Sequence, residues 1–361
     1  MSDAPAYPNL LSRWLLADEF RDQWVIREPP RLAEALFLLQ ERLFLRVDLA
    51  GIAVDRPIFI LSLPRCGSSM LQDLLCTHPQ VGYTTNMMDT FRRCPCAAER
   101  FRRRAHLEVR GERFLADSVD VGAGSPADPV GTWAEWLKID PFSLDCREPS
   151  VAEFSPAERE RIRDGIRRVL WCFDGAATRY ECKTPALLPY ARVLRDLFPD
   201  AKFVHLVRDA RPAANSLLKL NRLCREQLER IRPRVPRFAR ETRPFVAYPY
   251  LPGLPGYLAR YGADDIRTTA HLWSESVRYI ERIRGELPHF LEVRYEDILA
   301  APEREIARIA EFCELAPFGR ENAAFRERIA GVGHVHHRNA YGSYEVVESI
   351  CRKEMRRYGY L

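Results

Sequence analysis

Hydrophobic and polar positions along the chain alternate between two patterns. Ile58–Leu63 is a short apolar run rich in β-branched and aromatic residues, and it reads as a buried strand. Pro64–Ser69 follows as a tight loop. Met70–Cys76 then carries apolar residues at helical spacing (Met70, Leu71, Leu74, Leu75), with Pro79 as its stop. Tyr180–Pro185 predicts a second short strand, Ala186–Phe198 a leucine-rich helix and Ala201–Val207 another buried strand. Ala213–Glu229 continues as helix. Asp264–Gly285 predicts a long helix with Trp273 in the core. A strand at Phe290–Val293 follows, and Ala301-Pro302 opens a helix to about Cys313. Alternating strands and helices argue for an α/β fold of three layers around a central parallel sheet. Such sheets place ligands beyond the carboxyl ends of their strands. Arg65, Lys183 and Arg208 all stand at predicted ends.

The remaining segments decorate this frame within a single domain. Residues 1–50 predict an N-terminal helical cap, Leu10–Phe20 and Arg31–Val47, split by Pro29-Pro30. Val81–Thr90 suggests a strand and turn. Residues 90–177 lack strand signals and read as a helical insertion, an excursion of the kind that carries ligand specificity. Basic clusters (Arg92, Arg93; Arg102, Arg103, Arg104) and Trp133 and Trp136 lie in it, with a Gly/Pro/Asp-rich break at Val121–Gly131. Ser155 and Glu158 form a capping-box signature for a helix over Ser155–Phe173. Residues 230–262, dense in Arg, Pro and Tyr, read either as a flap with aromatics facing a ligand or as a basic surface loop.

The loop at 64–69 carries the chemistry. Strand, small-residue loop and helix aim free backbone N–H groups and a helix N-terminus at an anion. Gly67 lets the backbone close up, Ser68 and Ser69 add hydroxyls, and Arg65 adds a cationic fork for phosphate or sulfate oxygens. The loop is not the GxxxxGK[ST] of ATPases, since its cation precedes the glycine.

Charge and composition narrow the partners. The formal charge of +5 over 361 residues suits a small anionic ligand and calls for no nucleic acid. No apolar run reaches the ~18 residues of a membrane span. Asp3, Asp18 and Glu19 stand where a secretory leader would be basic and apolar, so a cytoplasmic protein is expected. The ten cysteines are scattered and read as free thiols. Neither Cys94-Pro95-Cys96 nor His334, His336 and His337 has ligand-spaced partners, and no metal is expected.

Pro64–Ser69 resembles the phosphosulfate loop of sulfotransferases that use 3′-phosphoadenosine 5′-phosphosulfate (PAPS), Pro-(Lys/Arg)-x-Gly-(Ser/Thr)-(Ser/Thr). Lys202–Ser216, KFVHLVRDARPAANS, is similar to the second motif of that family, a strand followed by Arg208 with Ser216 eight residues later. The Arg294-Tyr295-Glu296-Asp297 turn and, loosely, Gly331–Tyr341 also resemble family segments. The resemblance implies a P-loop-like sulfotransferase fold moving a sulfuryl group from PAPS to a hydroxyl or amine of a small-molecule or carbohydrate acceptor. By it, the backbone of Cys66, Gly67, Ser68 and Ser69 holds the 5′-phosphate and Arg65 neutralises the bridging oxygen. Lys183 contacts the sulfuryl oxygens, Arg208 and Ser216 grip the 3′-phosphate, and Tyr295 approaches the adenine. A homo-oligomer is compatible with it. The general base departs from the pattern. Pro185, Ala186 and Leu187 occupy the stretch where many relatives carry histidine, and Thr84-Thr85-Asn86 the stretch where others carry glutamate. Asp89 is the nearest acid and the expected base, ahead of His106, Glu135 and the tail histidines. The alternatives are a nucleotide-binding protein without transfer activity, or a small-molecule kinase, which would need Mg²⁺ ligands and ATP.

Overall fold

The computed structural model describes residues 9–16, 27–107, 109–112, 120–140, 143–233, 243–319, 321–333 and 342–361. Its frame is a parallel sheet of five strands: β1 (Ile58–Leu61), β2 (Val81–Tyr83), β5 (Arg179–Lys183), β6 (Lys202–Val207) and β7 (Phe290–Arg294). They lie in the order β2-β5-β1-β6-β7, flanked by helices on both faces. The other two strands, β3 (Arg110–Glu112) and β4 (Asp120–Gly122), form a separate antiparallel hairpin.

β1, β5 and β6 are buried along their whole length; β1 is a continuous apolar run, as a strand covered on both faces should be, whereas β5 buries Arg179, Glu181 and Lys183 and β6 buries Lys202 and His205. Phe59 and Leu61 face one core layer; Ile58 and Ile60 face the other. Leu71, Leu74 and Leu75 of the helix Ser68–Leu75 pack into the second layer, against Val204 and Leu206 of β6. Trp273, in the helix Ile266–Ile283, is in the core as expected.

The elements follow the sequence reading with local differences. Val81–Thr90 splits into β2 and a short helix, Asn86–Thr90, because Thr85 accepts from the Met88 N–H and caps a new helix. Ala186–Phe198 begins as a 3₁₀ segment, Pro185–Tyr190, since Pro185 and Pro189 have no N–H to donate; the α-helix proper is Ala191–Leu197. The capping box of Ser155 and Glu158 forms in both directions and opens the helix Pro156–Trp171. Of the N-terminal helices, the first is described over Leu10–Leu16, the rest of its expected range lying outside the described residues, and the second, Arg31–Leu43, ends before the expected Val47. The described part of the 230–262 segment is packed: Val246, Leu251 and Leu254 are buried, and the Ala247 N–H donates to Asn221. Most of the tail motif, with its three histidines, lies outside the described residues. None of the ten cysteines forms a disulfide.

Candidate active site

Strand order dictates which side chains meet. β1 lies between β5 and β6, so the loop after β1 emerges with the end of β5 on one side and the end of β6 on the other. Lys183 is the last residue of β5, Arg208 follows β6, and Tyr295 follows β7 one strand farther out. Lys183, the 64–69 loop, Arg208 and Tyr295 therefore cross the carboxyl edge of the sheet in that order.

The loop is bent sharply at Arg65, whose φ of +71° is left-handed. Two contacts hold it there. Its Nε donates to Ser216 Oγ at 2.9 Å, and its carbonyl accepts from the Arg208 guanidinium at 3.0 Å. Arg208 is held in turn, because the Trp273 indole N–H donates to its carbonyl at 3.0 Å. The Arg208 guanidinium lies over the Tyr295 ring, 4.7 Å from its centroid. That ring also packs onto Gly67: a Cβ there would lie 2.2 Å from a Tyr295 ring carbon, and φ is +90°. Glycine is required at 67 on both counts.

Gly67 caps the helix Ser68–Leu75 without any side-chain hydrogen bond to its first turn. The opening N–H groups thus face the loop mouth, an arrangement suited to phosphate. Burial pushes the Cys66 thiol up to about 12, so it stays protonated and contributes its backbone alone.

On the β5 side the loop borders a cavity of about 210 Å³. Arg65, Ser68, Ser69 and Lys183 line its inner wall; Leu220, Phe245 and Tyr248 supply an apolar flank. The Tyr248 hydroxyl is buried without a hydrogen-bond partner among the described residues. Lys183 is 5% exposed and its ammonium meets Asp128 at 3.1 Å.

Asp89 also lines the cavity. Its Oδ1 accepts from both the backbone N–H and the hydroxyl of Thr132, at 2.9 and 2.7 Å. Burial raises its carboxyl above the ordinary aspartate value. Asp128, like Asp73 and Asp120, is a cavity-lining acid that the sequence reading does not single out, and it is the one that meets Lys183. It sits in the Gly/Pro/Asp-rich break, read there only as an interruption. Backbone bonds from Asn86, Met87 and Ala127 strap residues 123–127 to 84–87, which brings Asp128 across from Lys183. Asp128 directly precedes the Pro129-capped helix Val130–Leu137, and that loop-to-helix position was the available signal. Of the other base candidates, Glu135 pairs with Arg92 at 3.3 Å and does not line this cavity. His106 is also away from it.

The sequence profile described as the sulfotransferase family matches residues 57–247. No curated protein matches the chain. Among solved structures, the sulfotransferase STF9 of Mycobacterium avium superposes with a TM-score of 0.53 at 17% identity, covering 98% of this chain and 87% of that one. The sulfotransferase STF1 of Mycobacterium tuberculosis gives 0.47 at 14% identity, covering 89% and 83%. The profile spans more than half of the 361 residues and contains the loop, Lys183 and the Arg208–Ser216 motif, so the chain belongs to the sulfotransferase family.

Proposed function

We propose that this protein transfers a sulfuryl group from PAPS to a hydroxyl or amine of a small-molecule or carbohydrate acceptor. One observation carries the reading: a single loop touches Arg208, Ser216 and Tyr295 on one side and borders the Lys183 cavity on the other. A donor with phosphates at two positions and an acceptor beside it require such a two-sided loop.

In this reading the N–H groups at 66–69 hold the 5′-phosphate, and Arg208 with Ser216 holds the 3′-phosphate. Tyr295 lies against the adenine. The acceptor oxygen or nitrogen attacks sulfur and forms the new S–O or S–N bond. The bond from sulfur to the bridging phosphate oxygen breaks, and adenosine 3′,5′-bisphosphate leaves with the electron pair. Arg65 neutralises charge growing on that oxygen, and Lys183 faces the sulfuryl oxygens. Positioning and charge stabilisation supply most of the rate, as in phosphoryl transfer. The acceptor proton goes to a carboxylate. Asp89 and Asp128 both line the cavity, and Asp128 is preferred because it adjoins Lys183 and is not tied to Thr132.

The test is thermal stabilisation of the protein by adenosine 3′,5′-bisphosphate against ATP with Mg²⁺, followed by an acceptor screen with PAPS. Selective stabilisation by the bisphosphate supports the reading. Preference for ATP with Mg²⁺ would overturn it.

A further inference from the structure

The helix Arg31–Leu43 is apolar on two opposite faces. One face is spent on the protein's own core. Ala33 and Phe37 are buried there, and Phe37 meets Phe91 edge-on at 4.9 Å. Glu41 on the same face accepts from the Ala97 N–H and pairs with Arg168. The opposite face carries Leu32, Leu36, Leu39 and Leu43, each 51–66% exposed, and it ends at Phe44, 76% exposed. Eight of the twelve large apolar side chains exposed among the described residues fall within the first 44 positions, the others being Leu10, Leu11 and Trp14. Such a concentration differs from the scattered apolar residues of an ordinary surface.

We infer that this leucine row is a docking seam for a second copy of the chain, which it meets as an antiparallel helix pair across a two-fold axis. Three features support this occupant. The spacing 4-3-4 is the a/d repeat of a coiled-coil seam, which a helical partner fills knob into hole. The spacing also reads the same in both directions, as an isologous contact requires: Leu32 faces Leu43 of the second copy, and Leu36 faces its Leu39. Leu32, Leu36, Leu39, Leu43 and Phe44 are each more than half exposed, so pairing would take five large apolar side chains of each chain out of water. The row is narrow, with Arg31 and Arg42 exposed beside it and the opposite face already packed; a lipid surface takes a broader apolar face. The inference stands apart from the catalytic reading and uses none of its residues.

The test is the mass of the full-length protein by light scattering after gel filtration, across a range of concentrations. The expected species is a dimer, twice the 41.8 kDa of one chain. Leu36→Glu with Leu39→Glu should convert it to a monomer of unchanged circular dichroism, while Leu36→Met with Leu39→Met keeps the dimer. A mixture of Leu36→Cys and Leu39→Cys chains should cross-link to each other in preference to themselves; this readout survives if the glutamate variant fails to fold. A wild-type monomer throughout the range would overturn the inference. So would a dimer that the glutamate pair leaves intact, self-cross-linking of Leu39→Cys alone, or a monomer that sediments with phosphatidylcholine vesicles.

Discussion

The Arg208 guanidinium donates to the carbonyl of Arg65 at 3.0 Å, so the residue after β6 holds the bend of the loop after β1. A non-glycine residue in the left-handed region is costly, on the order of 1 kcal/mol or more, and persists where its surroundings over-determine it. Arg208 therefore has two tasks in the proposed function: it shapes the loop, and it meets the 3′-phosphate. Arg208→Ala should weaken adenosine 3′,5′-bisphosphate by about tenfold or more, the loss of one charge-assisted contact. It should weaken adenosine 5′-phosphate less, through the loop alone. Calorimetric titration of both ligands checks the difference, and equal losses would remove the 3′-phosphate from the role of Arg208.

Gly67 is constrained by Tyr295 and by its own backbone, and the two can be separated. Gly67→Ala places a Cβ 2.2 Å from the ring and forces a side chain to φ +90°. The backbone alone costs roughly 1–2 kcal/mol, and the clash adds to it. A lowered Tm and loss of bisphosphate binding are expected. Adding Tyr295→Ala should recover part of the Tm, since it removes the clash and leaves the dihedral strain. No recovery would mean that the ring is not what limits position 67.

The proton acceptor can be assigned by comparing two aspartates. Asp128→Asn should lower kcat by roughly 10²–10⁴-fold, the usual contribution of a general base, with the KM for PAPS little changed. Asp89→Asn leaves the Thr132 hydroxyl bond possible and should cost much less. The reverse ranking would return the role to Asp89. Rescue of Asp128→Asn turnover by added formate would distinguish a base from a residue that only positions Lys183.

These residues were unequally legible in the sequence. The loop, Arg208 and Tyr295 each follow a strand and Lys183 ends one, and the structure brings them to the carboxyl edge of the sheet. Their order across that edge was not legible, because periodicity identifies strands without saying which neighbours pair. Ser216 reads in the sequence as a second grip, with Arg208, on the 3′-phosphate; that its hydroxyl accepts from Arg65, a contact spanning 151 positions, is something no local pattern encodes. The β3–β4 hairpin escaped for a related reason: two three-residue polar strands carry no alternation to read. Asp128 was hidden because its placement depends on backbone bonds between 84–87 and 123–127, which are tertiary.

Glu181, two residues before Lys183 on β5, links stability to pH. It is buried, one carboxylate oxygen accepts from Gln72 at 3.0 Å, and the other has no partner among the described residues. Burial raises its pKa to about 7 from an ordinary 4.5, against the opposing pull of Gln72, Cys76 and Lys183. The folded state thus binds this proton more tightly than the unfolded chain. The associated stability is present in full below about pH 4.5 and is lost as pH rises through about 7. Glu181→Gln keeps the shape and removes the charge. It should raise Tm at pH 8, by an amount corresponding to a few kcal/mol at most, with the gap to wild type shrinking toward zero at pH 4.5. Melting curves of both proteins across pH 4.5–8 measure it. A gap that stays constant with pH would show that the carboxyl does not titrate in this window.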